Sequence, residues 1–212
     1  YTRFPKPDYA VAFHVKAQLP AGMVEVPLNI AYSSSDSVDI TVRGVGGHGA
    51  YPQLTVDPVL VASQIVVSLQ SIRSRNINPL EGAVITVGAI NGGNKHNIIP
   101  DEVRLQLTVR SDSFAVREQL LDGIDRVVQG TAEAYGVPED RMPIVTRSPT
   151  ETVPPTLNDE VTAIRVRDAL TAELGADRMT APPRSGMGAE DFAYYVLPEY
   201  GVRGVYFNVG GG

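Results

Sequence analysis

The sequence predicts an α/β domain into which an α+β module of ferredoxin-like order, βαββαβ, is inserted. Two near-continuous apolar segments, residues 8–15 and 202–209, lie near the ends of the chain and are typical of strands covered by helices on both faces. Between them, alternating segments combine with two segments whose apolar residues recur every three or four positions, the pattern of amphipathic helices. This order of elements predicts a split βαβ fold for the middle of the chain.

The first segment, residues 1–35, is predicted to contribute strands to the α/β domain. Residues 8–15 form an apolar run with His14 near its end, so we expect a strand buried on both faces. Residues 24–30 alternate and predict a second short strand. The polar residues 33–36 indicate a hinge, and we place the first domain boundary after residue 35.

The middle segment, residues 36–148, is predicted to fold as the inserted module. Residues 38–42 predict its first strand, and Asp57 and Pro58 predict the N-cap and first residue of a helix. Residues 83–90 and 103–109 predict a hairpin around a turn at 91–94. The positions expected to face inward from the first helix are Ala62, Ile65, Val66, Leu69 and Ile72.

A second helix of this module is predicted to begin at Ser113 and to end before Gly136 and Pro138. Residues 142–146 predict the last strand. The positions expected to face inward from the second helix are Leu120, Leu121, Ile124, Val127, Val128 and Tyr135.

The last segment, residues 149–212, begins with a proline-rich stretch that marks the second boundary. Asn158 is predicted to cap a helix that ends at Gly175, residues 178–188 a loop, and residues 202–209 a strand. Since neither flank can bury a core alone, we expect the two flanks to form one parallel-sheet domain. The inward positions expected for this helix are Val161, Ala163, Val166, Leu170 and Leu174.

Composition and charge exclude several classes of protein. The formal net charge is -6, so the basic face that nucleic-acid binding needs is not expected, although βαββαβ is also the order of an RNA-recognition sheet. The returning strand at 103–109 also lacks the aromatic residues of such a sheet. No apolar run reaches the roughly 20 residues that cross a bilayer, and the absence of cysteine excludes disulfides and thiolate ligands.

Five polar residues stand at positions suited to chemistry. His48 lies in a turn framed by glycines after a predicted strand, and His14 lies near the end of the first apolar run. Asn97 lies at the hairpin tip, Arg110 at the far end of the returning strand, and Glu190 just after a glycine pair. Each residue taken singly also has an ordinary structural interpretation, such as a core histidine, a turn residue or a solvated strand end.

Taken together, these segments resemble the metal-dependent amidohydrolases and peptidases of the aminoacylase and carboxypeptidase type. The closest branch comprises the hippurate hydrolases, N-acyl-amino-acid amidohydrolases and auxin-conjugate hydrolases. The motifs are collinear and cover essentially the whole chain. They are Phe13-His14-Val15 with 19–22, Gly46-Gly47-His48-Gly49-Ala50-Tyr51-Pro52, Asp57-Pro58, Asn97-Ile98-Ile99-Pro100-Asp101, Val109-Arg110, 155–159, Gly188-Ala189-Glu190-Asp191-Phe192 and Phe207-Asn208-Val209-Gly210.

This resemblance implies a catalytic domain with two divalent metal ions (Zn, Mn, Co or Ni) and an inserted ferredoxin-like lid that mediates homodimerisation. It implies hydrolysis of the amide bond of N-acyl amino acids or small peptides, with His14 as a metal ligand. His48 would stabilise the oxyanion from the lid, often across the dimer. Asn97 and Arg110 would hold the substrate, and Glu190 would line the cleft near the metals.

The chain also departs from the pattern of that family. An upstream Cys-Gly-His-Asp type metal motif, a Glu-Glu pair and a C-terminal histidine ligand are expected in the family, and these residues do not contain them. We therefore expect a fragment that is inactive alone, with no membrane or nucleic-acid partner. A cytoplasmic location is expected, and an exported form is left open. The alternative is a non-catalytic ferredoxin-like module for dimerisation or binding.

Overall fold

The computed structural model describes residues 1–212 and contains twelve strands and three α-helices. None of the helices has the length and apolar character needed to cross a membrane. The strands are β1 Tyr9–Lys16, β2 Val24–Glu25, β3 Ile30–Tyr32, β4 Ser35–Arg43, β5 Gly47–His48, β6 Ala83–Gly92, β7 Ile98–Ile99, β8 Glu102–Ser111, β9 Ile144–Val153, β10 Thr156–Leu157, β11 Met179–Thr180 and β12 Arg203–Gly210. The helices are α1 Pro58–Ser71, α2 Phe114–Ala134 and α3 Glu160–Leu174.

The chain divides into two compact units, which we call the flanking unit and the inserted unit. The flanking unit consists of Tyr1–Ser34 together with Val153–Gly212, and the inserted unit consists of Ser35–Thr152. These divisions lie close to the boundaries placed after residues 35 and 148. The assignment of the flanking segments to a catalytic domain stays a prediction.

The inserted unit has the element order that the sequence predicts. Its four-stranded sheet has the order β6-β8-β4-β9, and β8 pairs antiparallel with both β6 and β4. Along β8 the side chains alternate, so that Val103, Leu105, Leu107 and Val109 are buried while Arg104 and Gln106 are exposed. Both helices pack against the buried face, which therefore forms one apolar core with them.

The helix ends of the inserted unit follow from their capping residues. The carboxylate of Asp57 accepts a hydrogen bond from the Val59 N–H at 2.8 Å, and Ser113 caps α2 through the Val116 N–H at 3.2 Å. Both predicted starts are confirmed. The predicted inward position at Tyr135 is wrong, because Tyr135 follows α2 at its C-terminal end and is exposed. The α1 segment continues into one π-helical turn at Ile72–Asn76.

The flanking unit has a mixed sheet, which corrects the prediction of a parallel one. Its order is β1-β12-β2-β11. The pairs β1–β12 and β2–β11 are parallel, whereas β12 and β2 are antiparallel. Residues 24–30 were predicted as one strand, but they contribute to two, β2 and β3, and β3 pairs with β10 instead of the main sheet.

The predicted burial of the first strand on both faces is wrong. In β1, Val11, Phe13 and Val15 are more than half exposed. The apolar side chains that pack with helix α3 come from β12 and β2, where Val205 and Val24 are buried with Ala163. Because β1 is the edge strand next to β12, its apolar face continues beyond the area that α3 covers.

Two further corrections concern helix α3. Asp159, not Asn158, is the N-cap, and its carboxylate accepts hydrogen bonds from the main chain and hydroxyl of Thr162. Asn158 is buried and instead donates to the main-chain oxygens of Pro27 and Tyr206, at 2.6 and 2.9 Å. The predicted inward positions Val161 and Leu174 are exposed.

Candidate functional site

Three polar side chains form one row across the sheet of the flanking unit. In the register of the strands, His14 on β1 lies opposite Asn208 on β12, and Asn208 lies opposite Glu25 on β2. Side chains at laterally paired positions project from the same face of a sheet. His14 and Asn208 also lie near the carboxyl ends of two parallel strands, where ligands commonly bind in open α/β sheets.

Glu25, at one end of this row, also forms an ion pair with Lys16. The Asn208 amide donates to Oε2 of Glu25 at 3.1 Å, and the Lys16 ammonium donates to the same oxygen at 2.8 Å. Lys16 follows His14 by two positions on β1 and therefore projects from the same face of the sheet. The Glu25 side chain is 8% exposed and that of Lys16 is 24% exposed.

This row lines a cleft of about 620 Å³ in the flanking unit. The Tyr32 hydroxyl on the wall of the cleft donates to Oδ1 of Asn208 at 3.0 Å. Burial, followed by the negative charges of Glu190 and Glu25, raises the pKa of Tyr32 above its usual value. Tyr32 is therefore a neutral hydroxyl donor at ordinary pH, and it fixes the orientation of the Asn208 amide.

Glu190 lies half-buried at the start of a short 3-10 turn. Its Oε2 accepts a hydrogen bond from the Tyr206 hydroxyl at 2.9 Å, and the Tyr206 ring packs edge-to-face on Tyr32 at 5.3 Å. Burial, and then the hydrogen bond to Glu190, raises the pKa of Tyr206 well above its usual value. Tyr206 therefore holds the Glu190 carboxylate as a neutral donor.

His14 is exposed, and its imidazole Nδ1 lies 2.7 Å from the main-chain oxygen of Val15. Since a carbonyl oxygen can only accept a hydrogen bond, this contact requires the proton on Nδ1 and leaves the Nε2 lone pair for a ligand. That arrangement is the one metal-binding histidines adopt. However, no group of three or more His, Cys, Asp or Glu side chains is arranged to hold a metal ion. These residues therefore do not fit a dinuclear centre by themselves.

The second predicted site lies in the inserted unit around His48. Strand β5, which contains His48, pairs with β7, so that His48 lies opposite Ile98. The turn requires glycine, because a Cβ at Gly46 would lie 2.8 Å from the main-chain oxygen of Ile99. His48 is exposed, and its Nδ1 accepts a hydrogen bond from the Ala50 N–H at 3.1 Å. The neutral imidazole therefore carries its proton on Nε2, which is a donor available to an outside group.

The structure brings Asn97 next to His48 but places Arg110 far from both. The main-chain oxygen of Asn97 accepts from the Gly49 N–H at 2.8 Å. Arg110 lies at the opposite end of β8, where it pairs with Val84. From Glu102 to Arg110 along β8, at ~3.4 Å per residue, the separation is roughly 27 Å. Within one chain, His48 and Asn97 therefore belong to a different end of the sheet from Arg110.

The sequence predicted no role for four residues that line the cleft, nor for Tyr206, which donates to Glu190. One signal was present, since Glu25 is a carboxylate between two valines in a predicted strand. The hydroxyl and amide partners of this carboxylate carry no local signal, because they come from other strands of the sheet. These five residues are Lys16, Glu25, Tyr32, Tyr206 and Asn208.

With this geometry established, comparison with known proteins identifies the class of the chain. Residues 30–136 match the peptidase dimerisation domain of the M20 family, which is half of the chain. The chain therefore belongs to the M20 peptidase family, and the resemblance to metal-dependent amidohydrolases is confirmed.

Similar curated proteins are bacterial deacetylases. The chain is 32% identical over 189 residues to an N-acetyldiaminopimelate deacetylase of Leuconostoc citreum, which covers 89% of this chain and 47% of that protein. It is 34% identical to an N-acetyl-L-cysteine deacetylase of Bacillus subtilis, which covers 89% of this chain and 43% of that protein. The chain thus spans about half the length of the curated relatives it matches.

Solved structures of this fold cover nearly the whole chain. A Staphylococcus aureus protein assigned as an aminohydrolase is 26% identical with a TM-score of 0.83, over 96% of this chain and 50% of that one. A Bacillus subtilis protein, described as a dinuclear metal-binding peptidase of the M20 family, is 24% identical with a TM-score of 0.70. That comparison covers 94% of this chain and 47% of the other, and it supports the fold.

Proposed function

We propose that this chain is part of a metal-dependent amidohydrolase that hydrolyses the amide bond of N-acyl amino acids or small peptides. The observation that carries the proposal is the row of His14, Asn208 and Glu25, which lines the cleft near the carboxyl ends of β1 and β12. Two of the curated relatives are deacetylases of N-acetylated amino acids, and one structural neighbour is described as a dinuclear metal-binding peptidase.

We propose that the whole protein uses two divalent metal ions, drawn from Zn, Mn, Co or Ni, with His14 as one ligand. The Nδ1 contact to Val15 supports this role, because it directs the Nε2 lone pair outward. The proposal requires further ligands outside these 212 residues. This chain alone is therefore expected to bind divalent metal weakly and to hydrolyse nothing, since one imidazole cannot hold two ions.

We propose that the inserted unit is a lid whose His48 donates from Nε2 to the oxyanion of the tetrahedral intermediate. The Ala50 hydrogen bond supports this role because it places the proton on the outward nitrogen before substrate arrives. A donor positioned in advance is worth ~3 kcal/mol of transition-state stabilisation. Asn97 would hold the substrate beside His48, and Glu190, fixed by Tyr206, would line the cleft.

The distance between Arg110 and His48 within one inserted unit supports a site to which two subunits contribute. Arg110 is proposed to bind the substrate carboxylate, because its planar fork contacts two oxygens at once. A dipeptide spans at most ~7 Å, which is far shorter than the roughly 27 Å between Arg110 and the His48 end of the sheet. One substrate can therefore contact both only if the two residues come from different subunits.

The surface of the inserted unit supports a homodimer. Strand β6 is an edge strand, so one side of its backbone is unpaired. Next to it, α1 exposes Leu60 and Val67, and β6 exposes Ile90. A two-fold contact through this edge and helix would cover both the apolar side chains and the backbone groups. Sedimentation should show a dimer for the full-length protein and a monomer for Val67→Glu, whereas Val161→Glu, an exposed position on α3, should remain dimeric.

The test of the proposed activity is turnover by the full-length enzyme. We expect hydrolysis of N-acetyl or N-benzoyl amino acids that is lost on chelation and restored by Mn, Zn, Co or Ni. His48→Ala should lower kcat about 100-fold or more with a smaller effect on KM. His96→Ala, which removes another exposed histidine of the same unit, should leave kcat unchanged. A full-length enzyme without activity on any such amide would favour a binding or dimerisation module instead.

A further inference from the structure

The strand pairing of the inserted unit is offset by one residue just before His48. The pairing of β4 with β8 ends where Arg43 lies opposite Glu102, and the pairing of β5 with β7 resumes where Gly47 lies opposite Ile99. Between these two pairs, three residues of the segment that leads to β5 face two residues of the other strand segment. One extra residue on one strand is the arrangement of a β-bulge, which is often found next to active sites and redirects a side chain.

The main-chain N–H groups of this offset segment donate to three different oxygen atoms. The Gly44 N–H donates to the main-chain oxygen of Asp101 at 2.8 Å, and the Val45 N–H donates to that of Val56 at 2.9 Å. The Gly46 N–H donates instead to a side-chain atom, Oδ1 of Asp101, at 3.2 Å. The Asp101 carboxylate therefore takes the place of a main-chain acceptor at the last residue before β5.

A second charged side chain holds the carbonyl side of the offset segment. The Arg141 guanidinium donates to the main-chain oxygen of Gly44 at 2.5 Å, and the same nitrogen lies 4.0 Å from Oδ1 of Asp101. Hydrogen bonds that involve a charged group are stronger than those between neutral groups. Arg141 belongs to a short 3-10 turn that follows α2, so the offset segment is bound to two separate parts of the inserted unit.

The position of the His48 imidazole depends on this segment. Strand β5 contains only Gly47 and His48, so few hydrogen bonds of its own ladder hold it in place. Gly46, which precedes β5, has the conformational freedom of glycine unless its N–H is held. A displacement of ~1 Å at a catalytic group can lower a rate about 100-fold. The hydrogen bond to Gly46 therefore bears on where the Nε2 donor of His48 lies.

We propose that Asp101, supported by Arg141, is a positioning residue for His48. This inference rests on the proposed role of His48 as the oxyanion donor and deepens it. Asp101 acts through the main chain of Gly46 and not by contact with the substrate. Because the Asp101 side chain is 82% exposed, its removal should change stability little while it frees the segment that carries His48.

The test uses variants of the full-length enzyme. Asp101→Ala removes the acceptor and should lower kcat about 10-fold, with KM within about 3-fold and the melting temperature within about 2 °C of the wild type. Asp101→Asn keeps an oxygen that can accept from Gly46, so kcat should stay within about 3-fold of the wild type. Glu102→Ala is the matched control, because it removes the adjacent exposed carboxylate and its ion pair with Arg104, and it should leave kcat unchanged.

A double-mutant cycle separates positioning from a general structural effect. If Asp101 acts only through His48, Asp101→Ala should lower kcat about 10-fold in the wild type but change it less than about 2-fold in His48→Ala. An equal loss in both backgrounds would overturn the proposal. A wild-type kcat in Asp101→Ala, or equal losses in Asp101→Asn and Asp101→Ala, would overturn it as well.

A spectroscopic measurement keeps this inference separate from the proposed activity. If His48→Ala leaves kcat unchanged, or the full-length protein hydrolyses no N-acyl amino acid, the proposed role of His48 fails. Nuclear magnetic resonance of the full-length protein with nitrogen-labelled histidine then tests the positioning alone. The His48 imidazole signals are identified by their absence from the spectrum of His48→Ala.

The tautomer of His48 is the quantity measured. At about pH 8, where an imidazole is neutral, the wild type and Asp101→Asn should show the proton on Nε2, because the Ala50 N–H donates to Nδ1. In Asp101→Ala, the chemical shifts of the two ring nitrogens should converge, since the freed segment allows both tautomers. Ring-nitrogen shifts that are the same in Asp101→Ala as in the wild type would overturn the proposal.

Discussion

The two units differ in how far their helices cover their sheets and in the hydrogen bonding of their buried ion pairs. In the inserted unit, α1 and α2 pack on β4, β6 and β8, and together they bury one large apolar cluster. In the flanking unit, α3 packs with β12 and β2, while β1 keeps an exposed apolar face and the opposite face carries a polar row. The polar row of the flanking unit therefore lies on the face of the sheet opposite to α3.

The two units also differ in how their buried ion pairs are hydrogen-bonded. In the inserted unit, Arg117 donates to both carboxylate oxygens of Asp36, at 2.9 and 2.7 Å, and Thr152 donates to one of them at 2.6 Å. This pair is fully bonded within the unit. In the flanking unit, Glu25 receives both contacts on one oxygen. Hydrogen bonds thus reach both carboxylate oxygens of Asp36 but only Oε2 of Glu25.

The largest expected effect is on the free energy of unfolding, when a buried apolar residue is truncated and compared with an exposed one. Leu105→Ala, at a fully buried position of the inserted unit, should lower the free energy of unfolding by about 2–5 kcal/mol. Val11→Ala, on the exposed face of β1, should change it by less than ~0.5 kcal/mol in this chain. Denaturant unfolding of both variants checks this. A similar loss of unfolding free energy for both variants would show that the β1 face is buried in solution. It would contradict the difference in helix coverage between the two units.

A smaller effect is expected at the two buried pairs. Asp36→Asn should cost about 3 kcal/mol, because it leaves Arg117 without its charged partner. Glu25→Gln should cost less, about 1 kcal/mol, since the amide oxygen can still accept from Asn208 and Lys16 remains partly solvated. Asp125→Asn in the exposed pair with Arg147 is the control, expected within ~0.5 kcal/mol. If Glu25→Gln proved as costly as Asp36→Asn, the difference in hydrogen bonding between the two pairs would not explain their stability.

The smallest expected effect is a pH dependence at the start of α3. The hydrogen bond from the Thr162 hydroxyl lowers the pKa of Asp159 below 3.8 in the folded chain. Because the unfolded chain binds this proton more readily, the stabilisation is present above pH 3.8 and is lost as the pH falls through the folded pKa. Asp159→Asn should therefore reduce the acid sensitivity of unfolding, measured by thermal melts between pH 5 and 2. An unchanged slope would assign the acid sensitivity to other carboxylates.

The sequence allowed prediction of those features that depend on neighbouring residues. Asp57 with Pro58, Ser113, and the apolar intervals of α1 are local patterns, and each predicted helix start in the inserted unit is confirmed. The order of elements βαββαβ follows from the same local hydrophobic periodicity. His14, His48, Asn97, Arg110 and Glu190 could be selected from motifs, and their roles stay predictions.

The polar wall of the cleft could not be predicted, because it depends on strand register between distant segments. Asn208 and Glu25 are 183 positions apart, and Asn208 and Tyr32 are 176 apart. A one-residue change in the pairing of β12 would move Asn208 to the other face of the sheet. The prediction that β1 is buried on both faces was wrong for a related reason. An apolar run does not reveal how far a helix such as α3 covers its sheet.

The most direct test of the account is complementation between two inactive full-length variants. One carries His48→Ala and the other carries His14→Ala, each expected to be inactive alone. If His48 acts across the dimer, an equal mixture after subunit exchange contains heterodimers with one complete site, and about a quarter of wild-type activity should return. Mixtures that contain heterodimers but recover no activity would show that His48 serves its own subunit, which contradicts the assignment drawn from its distance to Arg110.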